Sequence, residues 1–274
     1  MTASPRYEAP PGTVRQGLAD INRGTRHWPI WWSLTLQQVR SAYRRTRLGP
    51  WWITAQMIVF VAGLSLLFGT LLHQELATFV PYVTAGFISF SWMTGMIQGG
   101  ATCLIDNASA IRTVPGPMSN YALRNFAGNT IQFGHDAIVI IAVIVIFRVP
   151  LTWSVVFVPL AVLAICINGI AIGLWLGPVV ARYRDVGQIV TSIVRVLFFF
   201  TPVFWVATDI THKQLTLLAG WNPLAYLLEF FRAPLLGQNP SQLAMTGVTV
   251  ITIINILLGV LTFSRTRNRI AYWV

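Results

Sequence analysis

Apolar positions in this chain do not recur at a helical or strand period but run together. Six runs stand out: Trp51–Leu72, Phe79–Cys103, Tyr121–Phe147, Leu151–Gly177, Val186–Val206 and Leu243–Phe263. A helix needs about 20 apolar residues to cross a bilayer, so the pattern predicts an all-α membrane protein with six transmembrane helices. The third run differs in quality. Its first half carries Asn125, Asn129, Gln132, His135 and Asp136, which predicts burial against protein or a water-filled path rather than lipid. A further apolar segment, Leu224–Leu236, has only 13 residues, too few to span. It is expected to be re-entrant or interfacial in the last external loop, its backbone covered by protein or lining a cavity.

The segments before the first run read differently. Residues 1–29 are polar and hold Pro5, Pro10, Pro11, Gly12 and Gly24, the composition of a mostly disordered tail. Residues 30–48 mix Trp31, Trp32, Leu34, Leu36, Val39 and Tyr43 with Arg40, Arg44, Arg45 and Arg47. That suits an amphipathic helix lying in the membrane surface, a soluble juxtamembrane helix being the plainer alternative. Residues 51–263 then form the transmembrane domain and 264–274 a short C-terminal segment. With no cleavable leader in view, the first run is expected to act as an uncleaved anchor. Gly169, Gly173 and Gly177 in the fourth run, and Gly95 and Gly99 in the second, are spaced for close helix–helix approach.

Composition supports the membrane reading. The chain is 55% hydrophobic and 10% charged, against roughly 25% charged in soluble domains. Its net charge of +11 would suit nucleic acid, but the distribution argues against that partner. Sixteen of the 19 Lys and Arg residues flank one side of a six-span arrangement. Such asymmetry places both termini in the cytoplasm. Cys103 and Cys166 lie in separate apolar runs and give neither a disulfide framework nor metal-ligand spacing.

Recognisable catalytic chemistry is absent from the sequence. The only lysine, Lys213, stands between His212 and Gln214, so there is no standard P-loop. The four histidines fall in four segments, and no metal or nucleophile constellation emerges. Three features remain. Asp136 and Arg195 are membrane-embedded charges, functional by default, with a structural pair as the alternative. The loop 105–120 is broken by Pro115 and Pro117. A short helix over Asp106–Arg112, capped by Asp106 or Asn107, would turn Ile111 outward for docking, or the loop is a plain connector. The aromatic run Phe198, Phe199, Phe200, Phe204 and Trp205, with Pro202 kinking the helix end, joins Phe87, Phe90 and Trp92 of the second run. Most membrane aromatics simply pack. A consecutive run nonetheless points all round a helix, and ring faces can stack on sugar C–H faces weakly enough to let a chain slide.

These residues resemble the permease subunits of ABC-2-type polysaccharide exporters, the Wzm-type O-antigen and teichoic-acid group, over residues ~30–265. The resemblance rests on Tyr43 to Trp52 (YRRTRLGPWW), Ile111 to Pro117 (IRTVPGP), Arg182 to Val186 (RYRDV), and Thr201 to Phe204 with Asn222, Pro223 and Glu229 to Arg232. Ala42 and Met57 depart from the family's usual arginine and proline. The resemblance implies a homodimer in the plasma (inner) membrane, contacting membrane lipids. The polymer path lies between the two copies, and two separate ATPase subunits bind ATP and Mg, this chain binding no cofactor and no metal. Asp106, Asn107, Ile111, Arg112, Pro115 and Pro117, with Tyr43 and Arg44, would couple to that ATPase. Arg182, Arg184 and Asp185 would form a cytoplasmic turn. Pro202, Asn222, Pro223, Glu229 and Arg232 would form the outer gate. The substrate would be a lipid-linked glycan, and the Arg269–Val274 end looks most like galactan exporters of arabinogalactan-type walls. The competing readings are an ABC-2 drug or lipid exporter, an ATP-independent channel or proton-coupled carrier, and, weakest, a membrane enzyme.

Overall fold

The structure is a computed structural model and describes residues 10–44, 49, 51–71, 75–205 and 220–274. Among them the regular elements are all helical. They are α1 (Val14–Arg26), α2 (Trp28–Tyr43), α3 (Trp51–Leu71), α4 (Leu76–Thr102), α5 (Ala108–Thr113), α6 (Ser119–Ile146), α7 (Phe157–Arg182, after a 3-10 turn at Trp153–Val156), α8 (Asp185–Phe200), α9 (Pro223–Leu235) and α10 (Gln242–Trp273).

Four of these are long and apolar enough to cross a membrane: α4, α6, α7 with its preceding turn, and α10. α3 contributes a shorter apolar helix, Trp51–Leu67. The fifth expected span, Val186–Val206, corresponds to α8, which stops at Phe200 after 16 residues. Thr201 turns extended there (φ −93°, ψ 131°), because Pro202 has no N–H and disfavours helical backbone before it. Sixteen residues rise about 24 Å, less than the ~30 Å hydrocarbon core.

α1 corrects the expectation of a disordered tail. Thr13 and Gln16 form a reciprocal capping box, which satisfies backbone donors at the helix start. Asp20 on its inner face is fully buried. The remainder of that tail, residues 1–9, lies outside the described residues.

α4 is the centre of the bundle, lying against α3, α6, α7, α8 and α9, with 15 of its 27 residues buried. Gly169, Gly173 and Gly177 of α7 make the close approach to α4 that their spacing implies, while Gly95 and Gly99 of α4 face Asn129 and Asn125 of α6. A Cβ at Gly100 would stand 3.1 Å from the Cα of Gly173, so only paired glycines let α4 and α7 meet backbone to backbone. α9 is covered by protein: ten of its 13 residues are buried, against α4, α7 and α10. α10 runs along α7 and, at 32 residues or about 48 Å, outlasts a bilayer. Its last turns meet α1 and α5. We call that the terminal end of the bundle and the opposite one the distal end.

Candidate functional site

At the terminal end three elements converge on Asp20. Its carboxylate accepts from the Met118 and Ser119 backbone N–H (3.3 and 3.1 Å) and the Ser119 hydroxyl (2.9 Å). It also accepts two bonds from the Arg267 guanidinium, at 2.9 and 3.2 Å. A carboxylate on α1 thereby supplies the N-terminal cap that α6 lacks, where unsatisfied N–H groups and the helix dipole favour an anion, and ties it to α10. Sequence reasoning missed this staple. The available signal was an acid among arginines in a tail with a Thr-x-x-Gln box.

The loop between α4 and α6 hangs from this staple. Its helix α5 runs Ala108–Thr113 after Asn107, one of the two expected cap positions, but it presents Ile111 inward. Ile111 is buried with Cys103, Leu104, Phe263, Ile270 and Val274, so the expectation of an outward Ile111 is corrected. The reason is that the end of α10 packs beneath the loop and offers apolar contact. Arg112 donates to the Val274 carbonyl oxygen. The outward face is instead Thr113, Val114, Pro115 and Gly116, all exposed, with Pro117 half-buried. Asp106 is exposed, and Asn107 donates to the Cys103 carbonyl (2.8 Å). Arg44 is exposed at the end of α2. The Tyr43 side chain and residues 45–48 and 50 lie outside the described residues. A groove of about 530 Å³ separates α2 from this loop, lined by Ile30, Trp31, Leu34, Val114, Pro115 and Tyr121 among others.

α2 also explains the polar half of α6. It packs along that half, with Thr35 buried against it. Arg124 bonds to Gln38 Oε1 (3.1 Å) and Asn107 Oδ1 (3.0 Å). Asn125 donates to the Met96 carbonyl and Asn129 to Asn125, both against Gly99 and Gly95 of α4. The turn between α7 and α8 keeps Arg182, Arg184 and Asp185 exposed. Arg182 lies over the Tyr183 and Trp273 rings at 5.2 and 5.3 Å, a cation–π geometry, while Asp185 sits in the first turn of α8.

At the distal end the break after α8 is held by α9 and α4. Arg232 is buried. It donates to the Pro202 carbonyl (2.6 Å) and lies 3.7 Å over the Tyr82 ring. The Tyr82 hydroxyl donates to the Trp205 carbonyl (3.0 Å). Asn222 caps α9 through the Leu224 N–H and donates to Thr201 Oγ1 (2.7 Å), with Pro223 at the first helical position. Glu229 turns away to accept from the Ser241 N–H. A Cβ at Gly86 would come within 2.7 Å of the Val203 carbonyl and 3.1 Å of Arg232 Nη1, so glycine is what lets α4 approach the break. Of the residues expected at an outer gate, Pro202, Asn222, Pro223 and Arg232 are brought together, Glu229 acts on the Arg232 charge from further away, and Tyr82 and Gly86 join them unforeseen.

The aromatics separate into groups. Phe198 is a hub, with Phe87, Phe90, Phe199 and Phe204 at 5.4 to 6.2 Å. Trp92 belongs to another stack, on Phe133 at 3.9 Å. Phe90 and Trp92 are buried inside the chain. Phe199 is 66% exposed, Phe200 is half-buried, and Trp205 donates to the Phe199 carbonyl. Asp136 and Arg195 are not an ion pair. Asp136 is buried with Oδ1 unbonded, and Arg195 is exposed on α8.

Residues 30–236 match the family described as ABC-2 type transporter. Among curated proteins, the chain is 24% identical over 206 residues to the O-antigen export system permease protein RfbA of Myxococcus xanthus, covering 73% of this chain and 78% of that one. A protein of the same name from Klebsiella pneumoniae is 20% identical over 244 residues, 87% of this chain and 92% of its own.

Proposed function

The chain belongs to the ABC-2 type transporter family, and from that premise we propose that it is the permease subunit of an ATP-driven exporter of a lipid-linked polysaccharide. The supporting observation is the family match in a sequence without a P-loop; in this reading the energy comes from a partner ATPase. The relatives named as O-antigen permeases favour a glycan as cargo, and the Arg269–Val274 segment favours a galactan. In this reading the terminal end is cytoplasmic, in keeping with the Lys and Arg distribution. α3 and α8 join the four long helices to make six spans, with α2 along the membrane surface and α9 re-entrant.

Two copies enclose the path, to which α8 offers its exposed face with Arg195 and Phe199. The ATPase docks on the exposed 113–116 tip and the groove beside α2. Arg112 and Ile111 act from behind, anchoring that tip to α10. When the ATPase moves the loop, the Asp20 staple carries α1, α6 and α10 with it. At the distal end the Thr201–Pro202 break, Asn222 and Arg232 form the part that opens.

Purification in mild detergent tests this. A P-loop ATPase recovered in equal amount, with hydrolysis stimulated by lipid-linked glycan, is the expected result. Absence of any ATPase under several detergents, together with ATP-independent transport, contradicts it. One observation favours a proton-coupled carrier instead: the buried Asp136 has an unbonded carboxylate oxygen. In that reading Asp136→Asn abolishes transport and loss of the ATPase does not.

A further inference from the structure

The polar half of α6 contains more than packing requires. Asn125 and Asn129 are used against α4. Arg124 and Gln132, together with Asn125 and Asn129, line a cavity of about 250 Å³ between α6, α2 and the start of α3. We propose that this cavity binds the anionic headgroup of an amphiphile, with Arg124 as the phosphate contact. Resting on the reading above, the amphiphile is the lipid-linked glycan.

Four features carry the assignment. First, Arg124 is held by neutral groups, the amide oxygens of Gln38 and Asn107, and no carboxylate lies within 4.0 Å of it among the described residues. Its orientation is fixed while its charge is left uncompensated, and the guanidinium fork keeps further N–H groups for a phosphate. Second, Gln132 is exposed on the same cavity, about 12 Å further along the helix axis. Its amide can bond sugar hydroxyls beyond the phosphate. Third, Gly128 forms an open floor between them: a Cβ built there meets nothing nearer than Thr35 Cγ2 at 3.9 Å. Fourth, Val39, Ile53 and Ile131 complete the lining with apolar surface. A wall that is polar on one side and apolar on the other suits a lipid-borne phosphate better than a soluble one.

The experiment uses the permease with its ATPase in detergent and two probes, a polyprenyl pyrophosphate and phosphatidylglycerol, with binding read by native mass spectrometry. The wild-type complex is expected to bind the pyrophosphate. Arg124→Gln is expected to weaken it about tenfold or more, the worth of a charge-assisted bond. Gly128→Leu, which fills the floor without touching the charge, has a comparable effect. Gln38→Ala, which releases the guanidinium but keeps it, has a smaller one. Phosphatidylglycerol binds more weakly and ignores all three substitutions.

Wild-type binding in both Arg124→Gln and Gly128→Leu overturns the site, while glycan-stimulated hydrolysis in the same samples leaves the exporter reading standing. Equal binding of phosphatidylglycerol, lost in parallel, overturns the substrate assignment in favour of a membrane lipid. A wild-type complex that neither binds the pyrophosphate nor hydrolyses ATP in response to lipid-linked glycan overturns both.

Discussion

Asp20 at the terminal end and Arg232 at the distal end are both buried ions, yet their surroundings differ in kind. Asp20 has an ionic partner, Arg267, and hydrogen bonds from α6, so one carboxylate ties three elements. Arg232 has a carbonyl and a ring face, and among the described residues no carboxylate within 4.0 Å, Glu229 acting on its charge only from further away. Its partner carbonyl sits on the Thr201–Pro202 break, just past the last helical bond, from the Thr201 N–H to Leu197. A paired ion linking helices resists separation, since parting the pair leaves uncompensated buried charge. A cation satisfied by carbonyl and ring can exchange one neutral acceptor for another or for water at smaller cost. The comparison teaches that the terminal end is built to move as a unit and the distal end to rearrange.

Asp20→Ala should break the terminal side of this contrast most severely. It removes the ion pair and leaves Arg267 and two α6 N–H groups without their acceptor, a loss of about 3–5 kcal/mol readable as a lower melting temperature in detergent. Arg232→Met is expected to cost less stability, about 2 kcal/mol, because methionine fills much of the volume. Its transport defect, measured as ATP-dependent export in vesicles, should exceed its stability defect. If Asp20→Ala impairs transport but not melting, while Arg232→Met does the reverse, the assignment of roles is inverted. Asn222→Ala removes the α9 cap and the Thr201 bond, worth about 1 kcal/mol, and should leave the terminal end unchanged by hydrogen exchange. Smallest in stability is Val114→Asp, within about 0.5 kcal/mol for an exposed site. It should still abolish ATPase co-purification, and normal recovery of the ATPase would remove the loop tip from the docking surface.

Much of the bundle was legible because long apolar runs leave little choice of fold. α4, α6, α7 and α10 lie where hydropathy puts them, and Gly169, Gly173 and Gly177 of α7 do meet α4, whereas Gly95 and Gly99 of α4 meet asparagines of α6. What escaped was tertiary in origin. α1 was hidden by a polar, proline-bearing composition, since its order depends on Asp20 meeting Ser119 and Arg267 from distant parts of the chain. Ile111 was turned the wrong way because nothing local announces that the end of α10 lies beneath it. The distal residues Pro202, Asn222 and Arg232 were found from motif order. Tyr82, which meets Arg232 from far along the sequence, could not be. Asp136 and Arg195 share only a membrane setting, which does not imply contact.

The most direct test reconstitutes this chain in vesicles with and without its ATPase and follows a labelled lipid-linked glycan across the bilayer. The account predicts movement only with the ATPase and ATP present, lost when the ATPase cannot hydrolyse. Equal movement by the chain alone, driven by a proton gradient and abolished by Asp136→Asn, would contradict it.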